Sequence, residues 1–246
     1  MRATGGGVAP GARGGDAAAP GATARVPVPR PSPGGEAAAL DAILRADPAV
    51  MALLARVRGL GLPDWRLVSG CVWGAAWNAL TGRAAHHGLR DYDLAYHDAS
   101  DPSWEAEDRV IRRVAAATAD LGLPAPVETR NQARVHLWFA SRFGAGRDFG
   151  PPLAGTDEGL ARYLSTAHAV GVRLEADGRL DIAAPHGLAD VFAMALRPTP
   201  HGRADPAGHD AKAAGALARW PEARVAWAGA GPPVTGAPLA PPDGPA

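Results

Sequence analysis

The chain has one cysteine, Cys71, one lysine, Lys212, and no net charge, its 25 basic residues balancing 25 acidic ones. A lone cysteine excludes an internal disulfide framework and any zinc site built on several thiolates. Zero net charge removes the broad electrostatic grip by which strongly basic proteins hold nucleic acid. No window approaches the roughly 20 apolar residues that cross a bilayer. No continuous apolar stretch follows Arg2, so a signal peptide is not expected either. These absences lead to the expectation of a soluble, cytoplasmic protein with no membrane partner. Arginine carries nearly all the positive charge, beside an excess of Ala, Gly and Pro. The bias matches a GC-rich coding background, so arginine content alone is no sign of phosphate binding.

Bulky apolar residues are scarce at both ends. Residues 1–36 are almost all Gly, Ala, Pro, Arg and Ser, and the stretch after Trp227 has the same character. Such segments bury too little surface to offset the entropy of ordering them. Disordered tails are therefore expected over 1–36 and 228–246. Residues 37–227 remain, enough for one domain with a real core.

Within that span the apolar spacing alternates between helical and strand periods. Two short helices come first, the second started by Asp47-Pro48 as cap and first residue and stopped between Gly59 and Pro63. "DWRLVSG" reads as a short strand entering a tight turn, and "CVWGAAWNAL" as a helix ending at Gly82. "DYDLAYH" is a second strand. The next helix is expected to be capped by Asp101 and started by Pro102. "APVETRNQARVHLWFA" alternates well enough for one or two strands. Asp177-Gly178 marks a hairpin turn, and two more helices close the domain. This order predicts an α/β (α+β) fold, with a small mixed β-sheet flanked by helices.

Two patterns carry candidate chemistry. Asp91 and Asp93 stand two apart on a strand, so their side chains share a face, about 7 Å apart at Cβ. Tyr92, Leu94 and Tyr96 occupy the opposite face, which can be buried while the acids stay available. Like charges side by side repel unless a cation lies between them, which makes the pair a ligand set for magnesium or another hard cation. Alone, the same pattern is also a solvated strand edge. Ser69-Gly70 lies between the first strand and a helix, where free N–H groups and the positive helix end attract an anion. Gly70 lets a phosphate approach the backbone, and the Ser69 hydroxyl adds a donor. In this order the two patterns combine into one site: a seat for a polyphosphate, and the metal ligands beside it. Arg134 and His136 are expected on one strand face, where Arg134 could bind nucleotide phosphate or pair with a carboxylate. His86-His87 lacks a third ligand and reads as loop, Trp73 and Trp77 as packing, and Cys71 as a small buried residue.

"SGCVWGAAWNALTGR…RDYDLAYHD" resembles the nucleotidyltransferase superfamily of DNA polymerase beta. Its local layout is similar to the Gly-Gly-x-Val-Arg…Leu-x-Gly-Arg…Asp-x-Asp pattern of tRNA CCA-adding enzymes. With "NQARVHLW", "AVGVRL" and "APHGLADVF", the chain resembles a bacterial nucleotidyltransferase family over roughly residues 40–227. The resemblance implies a nucleotidyltransferase fold and transfer of a nucleotidyl group from a nucleoside triphosphate to a hydroxyl, with release of pyrophosphate. It implies Mg2+ or Mn2+ on Asp91 and Asp93, and Ser69 and Gly70 as the triphosphate turn. It also implies a third carboxylate on a neighbouring strand, for which Glu128 is the first choice and Asp181 the second. A small-molecule or protein acceptor is favoured by the charge balance, with an RNA end as the other possibility. The alternative is a nucleotide-binding or regulatory module of the same fold without catalysis. Where the CCA-adding pattern has Val-Arg-Asp, this chain has Val72-Trp73-Gly74, and the loop before Asp91 is longer by "AAHHG".

Overall fold

The computed structural model describes residues 25–144 and 149–229. Helices α1 (Glu36–Arg45) and α2 (Pro48–Leu60) come first. The Asp47 side chain accepts hydrogen bonds from the N–H groups of Ala49 and Val50, with Pro48 in the first helical position, and α2 stops at the left-handed Gly61. Strand β1 (Arg66–Val68) leads directly into α3 (Gly70–Thr81), and β2 (Tyr92–Tyr96) follows. After α4 (Trp104–Thr118) and β3 (Val127–Asn131) the chain forms α5 (Val135–Phe143) and α6 (Thr156–Ala161). The hairpin of β4 (Gly171–Leu174) and β5 (Leu180–Ala183) turns at Gly178, whose φ is 83°. The short α7 (Ala189–Ala193), β6 (Ala195–Leu196) and α8 (Pro200–Ala204) precede α9 (Pro206–Leu217) and β7 (Arg224–Val225).

The main sheet has the order β3-β2-β1-β4-β5, parallel between β2 and β3 and antiparallel elsewhere. This is the expected mixed α/β architecture. The alternation of side chains along each strand divides the sheet into two unlike faces. Leu67, Tyr92, Leu94, Val172 and Leu180 enter the main core, where Leu40, Leu44, Leu53, Trp77 and Val114 of the first four helices meet them. On the other face, Val68 and Ala95 form a small separate cluster with Leu160 of α6 and its neighbour Tyr163. That face is only partly roofed. Polar side chains on its strands thus remain near solvent while their neighbours anchor the core.

Three expectations need correction. The tail expected over 1–36 is held at its end: the Arg25 and Val28 N–H groups donate to the carbonyls of Gly82 and Ala79, both at 2.9 Å, and Arg30 Nε to that of Phe192 at 3.0 Å. Gly82 has φ 67°, and a Cβ there would stand 2.5 Å from the Arg25 carbonyl, so a glycine makes this approach possible. Residues 1–24 and 230–246 lie outside the described residues. The cap of α4 is Ser103, whose hydroxyl accepts from Ala106 N–H, while Asp101 accepts from Ser103 N–H two residues earlier. The expected second strand after "VETRN" is a helix. Asn131 ends β3 because its side-chain oxygen accepts from the N–H groups of Ala133 and Asp98, which caps a turn instead of extending the ladder.

Candidate active site

Strand β2 and the edge strand β3 beside it place the acids. Val68 of β1 pairs in register with Asp93 of β2, and Asp93 pairs with Glu128 of β3. In-register partners on neighbouring strands share a face, so Glu128 joins Asp93 and, two residues earlier, Asp91 on the open side of the sheet. One carboxylate oxygen from each of the three lies within 4.8 Å of the other two. Tyr92, Leu94 and Tyr96 point into the core, as the alternation requires.

Crowding and partial burial shift these acids. Burial raises the Asp93 carboxyl to about 6, aided by the Asp91 charge and then Glu128, while a hydrogen bond from Ser69 and the Lys212 charge act in the opposite direction. Asp91 is raised by burial and by Glu128, against the influence of Arg90 and Arg219. Three hard oxygen donors whose charges repel at this spacing match the preference of a small divalent cation such as magnesium or manganese. The donor set therefore fits the metal that the sequence patterns imply.

The turn before α3 lies against the same acids. Ser69 has φ 67° and ψ −139°, a conformation usually left to glycine, and its side chain makes no cap bond. Its N–H donates to the Val170 carbonyl at 3.3 Å, and its hydroxyl hydrogen-bonds to Asp93. A Cβ added at Gly70 would meet nothing within 4 Å. Packing therefore does not require glycine here, and the start of α3 faces open space beside the acids. Cys71, next in the chain, is buried with its thiol donating to the Val68 carbonyl at 3.0 Å, and burial pushes the thiol's pKa up. A protonated, enclosed thiol is a packing group.

Asp181 is not brought to the acids. It shares their sheet face, but on β5, with β1 and β4 between it and β2. At the usual strand spacing this is about 14 Å away. Its carboxylate is paired with Arg66 at 3.0 Å, Arg173 at 3.2 Å and Arg179 at 3.5 Å. Arg134 is also elsewhere. Its guanidinium pairs with Glu107, which is 1% exposed, and donates to the Pro102 carbonyl at 3.0 Å. This is the carboxylate pairing, beyond the end of β3 opposite to Glu128. Arg134 and His136 share no strand face, because residues 132–143 are helical. His86 binds Asp47 at 2.7 Å and His87 the Arg219 carbonyl at 3.1 Å, and the one group of metal-ligating side chains found among the described residues includes neither.

Sequence reading missed two cations whose charges act on the acids. Lys212 and Arg219, on and just beyond α9, act on Asp93 and Asp91 respectively. Trp73 is core, with its ring 4.7 Å from Trp77, 5.2 Å from Trp220 and stacked on His168 at 4.6 Å. An arginine still reaches this region, since the Arg219 guanidinium lies 6.0 Å from the Trp73 ring and 4.9 Å from that of Trp220. One signal could have pointed to Lys212: it is the single lysine in an arginine-rich chain.

A family model described as a nucleotidyltransferase matches residues 55–225. The chain belongs to this nucleotidyltransferase family. Its fold is similar to a solved structure described as "The NMR structure of the protein reveals a CCA-adding enzyme head domain". The TM-score is 0.61 at 21% identity, over 76% of this chain and 94% of the other. No curated protein matches the chain in sequence. No helix among the described residues is long and apolar enough to cross a membrane.

Proposed function

We propose that the protein transfers a nucleotidyl group from a nucleoside triphosphate to a hydroxyl acceptor, in a cytoplasmic setting and with magnesium or manganese. The observation that carries this reading is the meeting of Asp91, Asp93 and Glu128 within 4.8 Å, beside the open Ser69-Gly70 turn. Asp91 and Asp93 are the metal-holding pair. The bound cation supplies neutralisation of phosphate charge and of the charge that develops on the leaving group. Ser69 fixes the Asp93 carboxylate through its hydroxyl. Gly70 leaves room for phosphate oxygens against the start of α3, where the helix end adds a favourable field.

Glu128 is the most exposed of the three acids and is placed to accept the proton of the incoming hydroxyl. The acceptor oxygen then bonds to the α-phosphorus, the bond from that phosphorus to the bridging oxygen breaks, and pyrophosphate leaves. Balanced net charge favours a small-molecule or protein hydroxyl as acceptor. The RNA 3′ end is a second reading, motivated by the CCA-adding head domain to which the fold is similar.

The direct test is incubation with magnesium, each α-labelled nucleoside triphosphate and panels of the three acceptor classes. Label transfer with matching pyrophosphate release is expected, and Asp91→Ala or Asp93→Ala should abolish it while circular dichroism stays unchanged. Full turnover in both variants would sink the assignment. Nucleotide binding with no pyrophosphate release from any acceptor would favour the non-catalytic module.

A further inference from the structure

Of the three acids, Asp91 has the least support from the sheet. Asp93 and Glu128 are in-register partners in the ladder, whereas the β2 pairings begin at Tyr92 and leave Asp91 one residue outside them. Its backbone is therefore set from one side by the loop that runs from Gly82, where α3 ends, to Arg90. Ala84 to Gly88 are the residues by which this loop exceeds the CCA-adding pattern. Connecting loops are ordinarily the mobile parts of a fold. This one is tied down.

The first tie is a single buried side chain. Asn78, in the last turn of α3, donates from Nδ2 to the Ala85 carbonyl and to the His87 carbonyl, each at 3.0 Å. Its Oδ1 accepts the indole N–H of buried Trp220 at 2.8 Å. The three bonds use both donors of the amide and its acceptor oxygen. The chain just beyond α9 holds the same loop. Arg219 donates from Nη1 to the Gly88 carbonyl at 2.9 Å, and its own carbonyl is 3.1 Å from His87 Nε2. Gly88 has φ 69°, and a Cβ there would stand 2.9 Å from the Trp220 ring and 3.1 Å from Arg219 Cδ. His86 adds a bond at 2.7 Å to Asp47, the carboxylate that caps α2. Ala85, His86, His87 and Gly88 are thus each bonded to a residue outside the loop.

We propose that Asn78 is the positioning residue for Asp91. By clamping the loop to Trp220, it sets where the Asp91 carboxylate stands relative to Asp93, and so the geometry offered to the metal. The assignment rests on the nucleotidyl-transfer reading and gives the segment after α9 a part in that site. Magnesium demands near-ideal ligand geometry, so a small displacement of Asp91 is felt as lost affinity. Asn78→Asp keeps the side-chain size but sets an acceptor against the Ala85 and His87 carbonyls, and the loop must move.

Manganese binding by the full chain without nucleotide, followed by electron paramagnetic resonance, tests this apart from turnover. Asn78→Asp is expected to weaken binding about tenfold, the low end of what outer partners of metal ligands contribute. Gly88→Ala should act in the same direction, because its Cβ pushes the loop off Trp220, and it carries the comparison should Asn78→Asp not fold. Asp91→Asn sets the scale, since a loss that passes through Asp91 does not exceed the loss of its charge. Arg134→Ala, destabilised at the far end of β3, should keep wild-type affinity below its own melting temperature. Wild-type affinity in Asn78→Asp, an equal loss in Arg134→Ala, or a loss larger than that of Asp91→Asn would overturn the positioning role and leave the metal site standing. If the wild-type chain bound no manganese, the nucleotidyl-transfer reading would fail and this assignment with it.

Discussion

Asp93 of β2 and Glu128 of β3 are in-register partners on parallel strands, so their carboxylates project side by side from the same face of the sheet. Glu128 thereby becomes the third acid by its place in the ladder. Glu128→Gln keeps the shape and removes the carboxylate proposed as the base, and is expected to lower turnover about 100-fold or more with little change in melting temperature. Single-turnover kinetics at saturating nucleotide would check it.

Asp181 should behave in the opposite way. Asp181→Asn removes a carboxylate that serves Arg66, Arg173 and Arg179, and Arg66 is nearly buried. A loss of about 2 kcal/mol in stability is expected, with turnover per folded molecule unchanged. Urea denaturation and an activity assay on the same preparation separate the two effects.

Arg134→Ala tests whether that arginine is structural. It would leave Glu107, 1% exposed, as a buried carboxylate that keeps only its hydrogen bond from Asn131 N–H. Breaking a buried pair from one side costs about 3–5 kcal/mol. A large drop in the denaturation midpoint with unchanged nucleotide affinity is expected; the reverse pattern would return Arg134 to the nucleotide.

The acids should also make stability depend on pH in a particular direction. The folded-state pKa of Asp93 is raised from 3.8 to about 6, so folding favours its protonated form. Its contribution is fully present below the unfolded pKa and is lost as pH rises through the folded one. In metal-free protein, melting temperature should therefore fall between about pH 4 and 6 relative to Asp93→Asn. Saturating magnesium should reduce that difference, because the cation offsets the repulsion. A flat difference between the two proteins across this window would contradict the burial of Asp93 and its crowding by the other acids.

Ser69 offers a trade between stability and function. Its φ of 67° costs a serine energy that glycine avoids, so Ser69→Gly should stabilise the fold by about 1 kcal/mol. The same change removes the hydroxyl that holds Asp93, and metal affinity should fall. Thermal melts with and without manganese would show both effects in one experiment.

Much of the central site was legible because it is local. A strand repeats its facing every two residues, so Asp91 and Asp93 had to share one side while Tyr92, Leu94 and Tyr96 took the other, against the core. The strand-to-helix step at Ser69-Gly70 was also readable from adjacent residues. Arg134 was misplaced because short alternating runs do not separate strand from helix, and the Asn131 cap that decided the matter acts through its side chain. The end of the N-terminal segment was misread because its ordering comes from carbonyls at Gly82, Ala79 and Phe192, not from apolar content of its own.

By itself the sequence determined the mixed α/β class, the paired aspartates and the turn in front of them, all consequences of short-range periodicity and backbone preference. Only the tertiary structure placed Glu128, and not Asp181, beside the paired aspartates, paired Arg134 with Glu107, and laid Arg219 over Trp220 near Gly88. Those outcomes depend on which strands lie next to each other and where α9 docks. Such choices follow from burying a whole apolar surface at once, and no local stretch of residues encodes them.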